Sequence, residues 1–157
     1  MFGTLTEPQI EELLKSQIVG RIGCHAYGMT YIVPISYVYD GECVYAHTTE
    51  GLKINMMRQN RQLCFQVDNT KDLANWQSVI SWGHFEELID IEAKSEALKK
   101  LAERKLPIIS SETMHLSARW PFNAEDLDEI GGVFFRIRLS EKTGRFEKPA
   151  NEAYYAS

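Results

Sequence analysis

The residues from Tyr45 to Asp68 read Y-A-H-T-T-E-G-L-K-I-N-M-M-R-Q-N-R-Q-L-C-F-Q-V-D. The run ending at His47 predicts a strand, Thr48, Thr49 and Gly51 predict a turn, and residues from about 51 to 59 predict a helix with Lys53 in its first turn. A helix start leaves backbone N–H groups without intrahelical partners. With two hydroxyls and one ammonium beside them, those groups make a seat for a phosphate, and therefore for a phosphorylated ligand. The plainer reading of Lys53 is a solvated lysine whose charge is mildly unfavourable against the positive end of the helix dipole, a sign that a bound phosphate would reverse. Glu50 argues against the seat, because a carboxylate beside it repels a dianion unless it turns to water.

His47 ends a strand, where a histidine most often makes structural hydrogen bonds; lining a pocket, it would be a proton donor. Trp76, Trp82 and Trp120 read as core or interface aromatics that could also abut a bound ring system. Arg21 is either a solvent-facing strand residue or a further contact to a dianion. No Gly-x-Gly-x-x-Gly follows a strand and no Gly-x-x-x-x-Gly-Lys-Ser/Thr occurs, so dinucleotide and nucleotide-hydrolysing fingerprints are missing. His25, His47, His84 and His115 lack metal-ligand spacing, and no metal site is expected. Covalent catalysis has no support either, since there is no Gly-x-Ser-x-Gly elbow and no cysteine with a local activator.

These residues must be positioned by a chain of 157 residues, 44% of them apolar, which is enough for one domain with its own core. The net charge of −5 and the scattered basic residues lack the footprint of a nucleic-acid binder. Cys24, Cys43 and Cys64 are odd in number and sit in apolar runs, which fits a reducing cytoplasm. The first residues lack a basic n-region and an apolar h-region, and no apolar run nears the ~20 residues that span a bilayer, so a soluble, unexported protein is expected.

Thr6 and Gln9 form a capping-box pattern ahead of Ile10, Leu13 and Leu14, which predicts a helix over about 7–16. Three β-rich runs follow, I-V-G-R-I-G-C-H-A, M-T-Y-I-V-P-I-S-Y-V-Y and C-V-Y-A-H, separated by Tyr27-Gly28 and Asp40-Gly41; they read as an antiparallel meander. Pro34 cannot donate to a ladder and implies an edge, a bulge or a place where a ligand meets the backbone. Leu63, Phe65 and Val67 alternate as a strand with one buried face; a longer strand from Trp76 bends near Gly83. A helix is expected from Ser95 to before Pro107, a further helical signal between Ser111 and Arg119, and a sixth strand in V-F-F-R-I-R-L after Gly131-Gly132. The tail, about 145–157, is polar and expected to be loosely held, with Tyr154 and Tyr155 able to dock it. The fold expected is mainly β with flanking helices, six antiparallel strands in a small closed or split barrel.

In this order, V-G-R-I-G, Y-I-V-P-I-S-Y-V-Y-D-G, V-Y-A-H-T-T-E-G-L-K with M-M-R-Q-N-R-Q-L-C-F-Q-V-D, and W-Q-S-V-I-S-W-G resemble the pyridoxamine 5'-phosphate oxidase-related flavoproteins over about residues 17–90. A weaker echo lies in F-R-I-R-L-S-E-K-T-G-R, and the similarity is greatest to the branch of nitroimidazole-reductase-type proteins. The resemblance implies a split β-barrel with FMN at a homodimer interface. It implies that Lys53, Thr48 and Thr49 hold the FMN phosphate, that the backbone of Val33, Pro34, Ile35 and Ser36 runs beside the isoalloxazine ring, that Gln77 and Ser78 approach from another side, and that His47 lies near the flavin. The chain departs from the oxidases at Gly51-Leu52-Lys53, where they carry Ser-Arg-Lys, and around Arg145, where their Arg-x-His motif has no counterpart. Pyridoxamine phosphate oxidation is therefore not carried over.

The function implied is an FMN-dependent oxidoreductase that passes hydride or electrons to a small flat substrate, a nitroaromatic among them, with NAD(P)H as a transient donor and His47 as the proton donor if it acts. The alternatives are a flavin store that turns nothing over and a haem-binding relative, in which one of the four histidines would be axial ligand.

Overall fold

The computed structural model describes residues 1–104 and 131–150. In chain order the elements are β1 (Phe2–Thr4), α1 (Glu7–Ser16), β2 (Val19–Ala26), β3 (Met29–Ser36), β4 (Val38–Tyr39), β5 (Cys43–Thr48), α2 (Leu52–Gln59), β6 (Gln62–Asp72), β7 (Asn75–Leu88), α3 (Ile91–Glu103) and β8 (Val133–Glu147). The strands form one antiparallel sheet in the order β3-β2-β6-β7-β8-β5-β4, with β1 on the far part of β8. The path does not close between β3 and β4, as in a split barrel. The six expected long strands are present; β1 is a short addition that the sequence pattern did not mark, and β4 is the end of the second expected run, set apart as a strand of its own.

α1 starts as its capping box dictates: the Gln9 N–H donates to Thr6 Oγ1 at 3.4 Å and the Thr6 N–H to Gln9 Oε1 at 2.8 Å. Its Ile10, Leu13 and Leu14 are buried in the main core with Ile22, Ile35, Phe65, Val67, Phe85 and Phe135. A second cluster, Tyr45, Leu88, Ala97, Leu98, Leu101 and Phe134, lies under α3. α3 begins at Ile91, four residues before the expected start; Ile91 and Glu92 are exposed, and the apolar contact of its first turn is a partly buried Ala93 against the second cluster.

The predicted meander is corrected. β2 and β3 pair as a hairpin through Tyr27-Gly28, but β3 does not pair with β5; β4 and β5 sit at the opposite end of the sheet. The break is at Tyr37, which is 1% exposed, donates its hydroxyl to Leu14 O at 2.6 Å and meets the Phe65 ring edge-on at 4.9 Å. One buried aromatic thus carries the chain from one sheet edge to the other, and leaves β3 as the edge strand that Pro34 implied.

β7 changes register between Trp82 and Gly83, so that Ser140 is the extra residue across the ladder. Glycine is required there, since a Cβ at 83 would lie 2.3 Å from Arg138 O. β8 continues through Gly144 to Glu147, so Arg145, Phe146 and Glu147 are paired with β1 and β7 instead of belonging to a loose tail. The helical signal at 111–119, His115, Trp120, Tyr154 and Tyr155 lie outside the described residues. No helix among the described residues is long and apolar enough to cross a membrane, and none of their His, Cys, Asp and Glu side chains group as a metal site.

Candidate functional site

Every residue of β5 is buried, which fixes the strand end at His47 and Thr48. The chain turns through exposed Thr49, Glu50 and Gly51, and α2 opens at Leu52. Ile54, Met56 and Met57 of α2 are fully buried and share the main core with Ile35, against which Val33 also packs. Helical spacing then leaves Lys53 half-buried at the rim.

Three features of this helix start belong together. Its N-cap is Gly51, with no side chain to accept from the first turn, and no acidic residue stands in that turn. The first helical N–H groups have no intrahelical acceptor. Burial pushes the Lys53 ammonium below the ordinary lysine pKa, and among the described residues no hydrogen bond or ion pair offsets that loss of solvation. A cation, a positive dipole end and open N–H groups meet at one corner, which is the charge pattern of an anion seat.

Glu50 does not spoil it. Its two carboxylate oxygens accept from Arg58 Nη1 and Nη2, both at 2.9 Å, and Arg58 also binds Glu87 through Nη2 and, at 3.3 Å, through Nε. The guanidinium holds the Glu50 carboxyl below the usual carboxylate range. This clamp, from α2 back to the turn and across to β7, escaped the sequence reading, because only tertiary packing brings Glu87 to Arg58.

His47 is 3% exposed, and its ring lies 4.5 Å from that of Phe134. Its Nε2 is 2.8 Å from Gly131 O, and since a carbonyl can only accept, Nε2 carries the proton. Burial pushes its pKa down more than this bond raises it, so the ring is neutral at pH 7. Gly131 and Gly132 have φ of 57° and 75°, and a Cβ on Gly132 would stand 2.6 Å from Thr48 O and 2.9 Å from His47 Nε2. The Gly-Gly pair marked in the sequence only as a strand start is therefore also the cover over the end of β5.

The other expected residues are distributed over two faces. Val33 and Ile35 face the core, Pro34 stands on the outer face beside Arg21, and Ser36 is buried opposite Val19. Ser78 accepts from Gln66 Nε2 at 3.2 Å, in a network where Arg21 Nη1 binds Asp68 Oδ1 at 2.9 Å and Thr70 Oγ1 binds Asp68 Oδ2 at 2.9 Å. Arg21 is thus already engaged on the outer face. Gln77 points the opposite way from Ser78 and lines a polar cavity of about 300 Å³ with Gln9, Glu12, Ser16, Asn69 and Lys148. Thr48 and Thr49 thus lie on the turn that leads into the helix of Lys53, Val33 and Ile35 pack on the same main core as that helix, and Gln77 and Ser78 serve two other surfaces.

A sequence model described as pyridoxamine 5'-phosphate oxidase matches residues 6–146. The chain belongs to that family. A curated relative, the uncharacterized protein RA0666 of Rhizobium meliloti (strain 1021), is 33% identical over 84 residues, 54% of this chain and 56% of that protein. The chain thus spans about half the length of the curated relative it matches. The crystal structure of an FAD-binding protein from Mesorhizobium loti superposes with a TM-score of 0.74 at 30% identity, over 94% of this chain and 99% of that one. Two more distant structures share the fold. They are the FAD-binding protein of Mycobacterium smegmatis (TM-score 0.65, 23% identity, 94% and 100% coverage) and a candidate 5-nitroimidazole antibiotic resistance protein of Bacteroides thetaiotaomicron (0.67, 18%, 93% and 87%). Membership of the family accounts for the split barrel, whose sheet stays open between β3 and β4.

Proposed function

We propose that this protein binds a flavin, FMN in the first instance, and works as an oxidoreductase on a small flat substrate, a nitroaromatic among them. The observation that carries this reading is Lys53, a half-buried ammonium without a partner among the described residues, at an uncapped helix start. The residues present fit a flavin phosphate: Lys53 would supply charge-assisted bonds, the first N–H groups of α2 neutral ones, and the Thr48 and Thr49 hydroxyls the remainder. The same donors suit one phosphate of FAD, the cofactor that the Mesorhizobium loti and Mycobacterium smegmatis proteins are described as binding.

When bound, the flavin supplies hydride or electron transfer. The chain's part is placement. β3 pairs, among the described residues, with β2 alone, so the backbone groups along its outer edge have no partner strand there; Val33 to Ser36 would present them to the ring while Pro34 offers no N–H. His47 must release Gly131 O before it can donate its Nε2 proton, so its first role is to order the strand end next to Thr48, and proton donation is a second, conditional one. A reduced nicotinamide cofactor would meet the flavin transiently, and three free cysteines suit the reducing cytoplasm.

A homodimer is part of this reading. Ile32, Gly23, Cys64 and Trp82 form one row across β3, β2, β6 and β7, and Pro34 and Ile80 end the next, with Arg21 and Gln66 between them. Ile32, Trp82 and Ile80 are 69%, 42% and 40% exposed, an apolar patch that a second copy would cover.

The test is spectroscopic. Titrating flavin-free protein with FMN, and separately with FAD, should quench flavin fluorescence to saturation, and the bound flavin should bleach with NADH and recover its colour with a nitroaromatic. No saturable quenching by either flavin would overturn the reading; binding without bleaching by any nicotinamide would leave a flavin store in place of an enzyme.

A further inference from the structure

Arg58 stands about two turns along α2 from the seat, yet its guanidinium reaches back to grip Glu50, the acidic side chain that immediately precedes the N-cap. Glu50 precedes the N-cap Gly51 and is three residues from Lys53. Unrestrained, its carboxylate has two attractors close by, the open N–H groups of the first turn and the Lys53 ammonium. Carboxylates in this part of a helix satisfy the free donors and the dipole, and an ammonium that has lost solvent gains most from an ion pair. Both sites stay open because Glu50 gives its two oxygens to Arg58 at 2.9 Å, while Glu87 of β7 takes the other edge of the same guanidinium. One planar fork shared by two carboxylates fixes direction as well as distance, which a lysine at this place could not do.

We infer that Arg58 is a positioning residue whose work is to hold Glu50 off the anion seat, so that Glu50 is a built-in competitor for the flavin phosphate, kept inactive by the Glu50–Arg58–Glu87 clamp. The inference rests on the flavin-phosphate reading for its ligand, but its geometry belongs to the flavin-free chain. The clamp makes the seat selective for multiply charged headgroups. A dianion outbids a side-chain carboxylate for Lys53, whereas a neutral ribityl chain gains nothing from an open seat.

The test compares Arg58→Met, Glu50→Gln and the double variant Arg58→Met/Glu50→Gln by FMN titration, thermal midpoint and Lys53 titration. The last is followed by NMR of the labelled lysine side chain without flavin. Arg58→Met should weaken FMN about five- to tenfold, the effect of one competing, partly desolvated ion pair, and should raise the Lys53 pKa. Adding Glu50→Gln should restore affinity and return Lys53 to its lowered value, while the thermal midpoint stays low because Glu87 remains unpaired. A merely structural role would move affinity and midpoint together and give no rescue; that result overturns the inference. So does wild-type affinity in Arg58→Met, as expected if the freed Glu50 turned to Lys94, with which it lines a cavity of about 270 Å³. If Arg58→Met does not fold, Arg58→Lys serves in its place: it keeps the charge without the fork and should lose affinity in part, again recovered by Glu50→Gln. Should FMN not bind at all, the flavin reading fails, and the Lys53 titration in the flavin-free variants still decides for or against the competitor.

Discussion

Replacing Lys53 by methionine should make the flavin-free protein more stable and the flavin complex weaker. Methionine keeps an unbranched stem and removes an ammonium that burial desolvates, that stands at the positive end of α2 and that has no partner among the described residues. Relief of the charge–dipole repulsion alone is worth about 0.3–1 kcal/mol, and a chain of this size gains about 2–4 °C in thermal midpoint per kcal/mol. A rise of about 1–4 °C is therefore expected. The pH dependence has a definite sign: because the folded-state pKa of Lys53 is lowered, the folded wild type binds fewer protons than the unfolded chain at alkaline pH. Its handicap is present in full below that folded pKa and shrinks as pH rises through it toward the ordinary lysine value, so the gap between variant and wild type closes on the alkaline side. Flavin reverses the order. Loss of one charge-assisted bond, on the order of 2 kcal/mol, lowers affinity roughly 30-fold. At FMN a hundredfold above the wild-type Kd, the wild type gains about 2.7 kcal/mol and the variant about 0.9 kcal/mol. Differential scanning calorimetry across pH, with and without FMN, reads all of this. A variant that melts below the wild type without flavin at neutral pH, or that gains as much from FMN, would refute the reasoning.

Gly83→Ala forces a methyl to within 2.3 Å of Arg138 O at the β7 register shift, so it should cost about 1–3 kcal/mol, measured as a fall in urea midpoint; an unchanged midpoint would mean the shift absorbs the methyl. Burial raises the Asp40 carboxyl, but the Cys43 N–H, Lys100 and the Glu42 N–H outweigh it and hold the pKa to about 2. Its contribution to stability is therefore complete above the unfolded value near 3.8 and disappears as pH falls toward 2; Asp40→Asn should flatten that stretch of the acid-unfolding curve, and an identical curve would count against a stabilising role for the bonds of Asp40 to Lys100 and the Glu42 and Cys43 N–H groups. Ile32→Glu buries a charge in the proposed interface between copies, so sedimentation should show the dimer dissociating; a variant that sediments as the wild type would remove that face from consideration.

The elements were legible wherever one residue's chemistry is local. Thr6 and Gln9 announce α1, Gly83 announces the bend in β7, and Pro34 announces an edge, because capping, close approach and a missing N–H act within a few residues. The crossover at Tyr37 was not legible, since its cause is a hydrogen bond to Leu14 and a ring contact with Phe65 that exist only after folding. The candidate site divides in the same way. Thr48, Thr49 and Lys53 are neighbours in the chain, on one short turn between β5 and α2, whereas the pairing of Glu50 and Glu87 through Arg58, and the closure of Gly132 over His47, join segments far apart in sequence. Gln77 and Ser78 are adjacent in sequence, but the twofold period of a strand sends them to opposite faces.

The central claim is that the corner of Lys53 and the first turn of α2 grips a phosphate. Riboflavin carries the same ring as FMN without that group, so their two dissociation constants, measured by fluorescence quenching on wild type and on Lys53→Ala, isolate the headgroup. A phosphate gripped at Lys53 predicts that the wild type binds FMN at least about tenfold more tightly than riboflavin and that this ratio falls sharply in the variant. Equal binding of the two flavins by the wild type, or a ratio that survives the loss of Lys53, would contradict it.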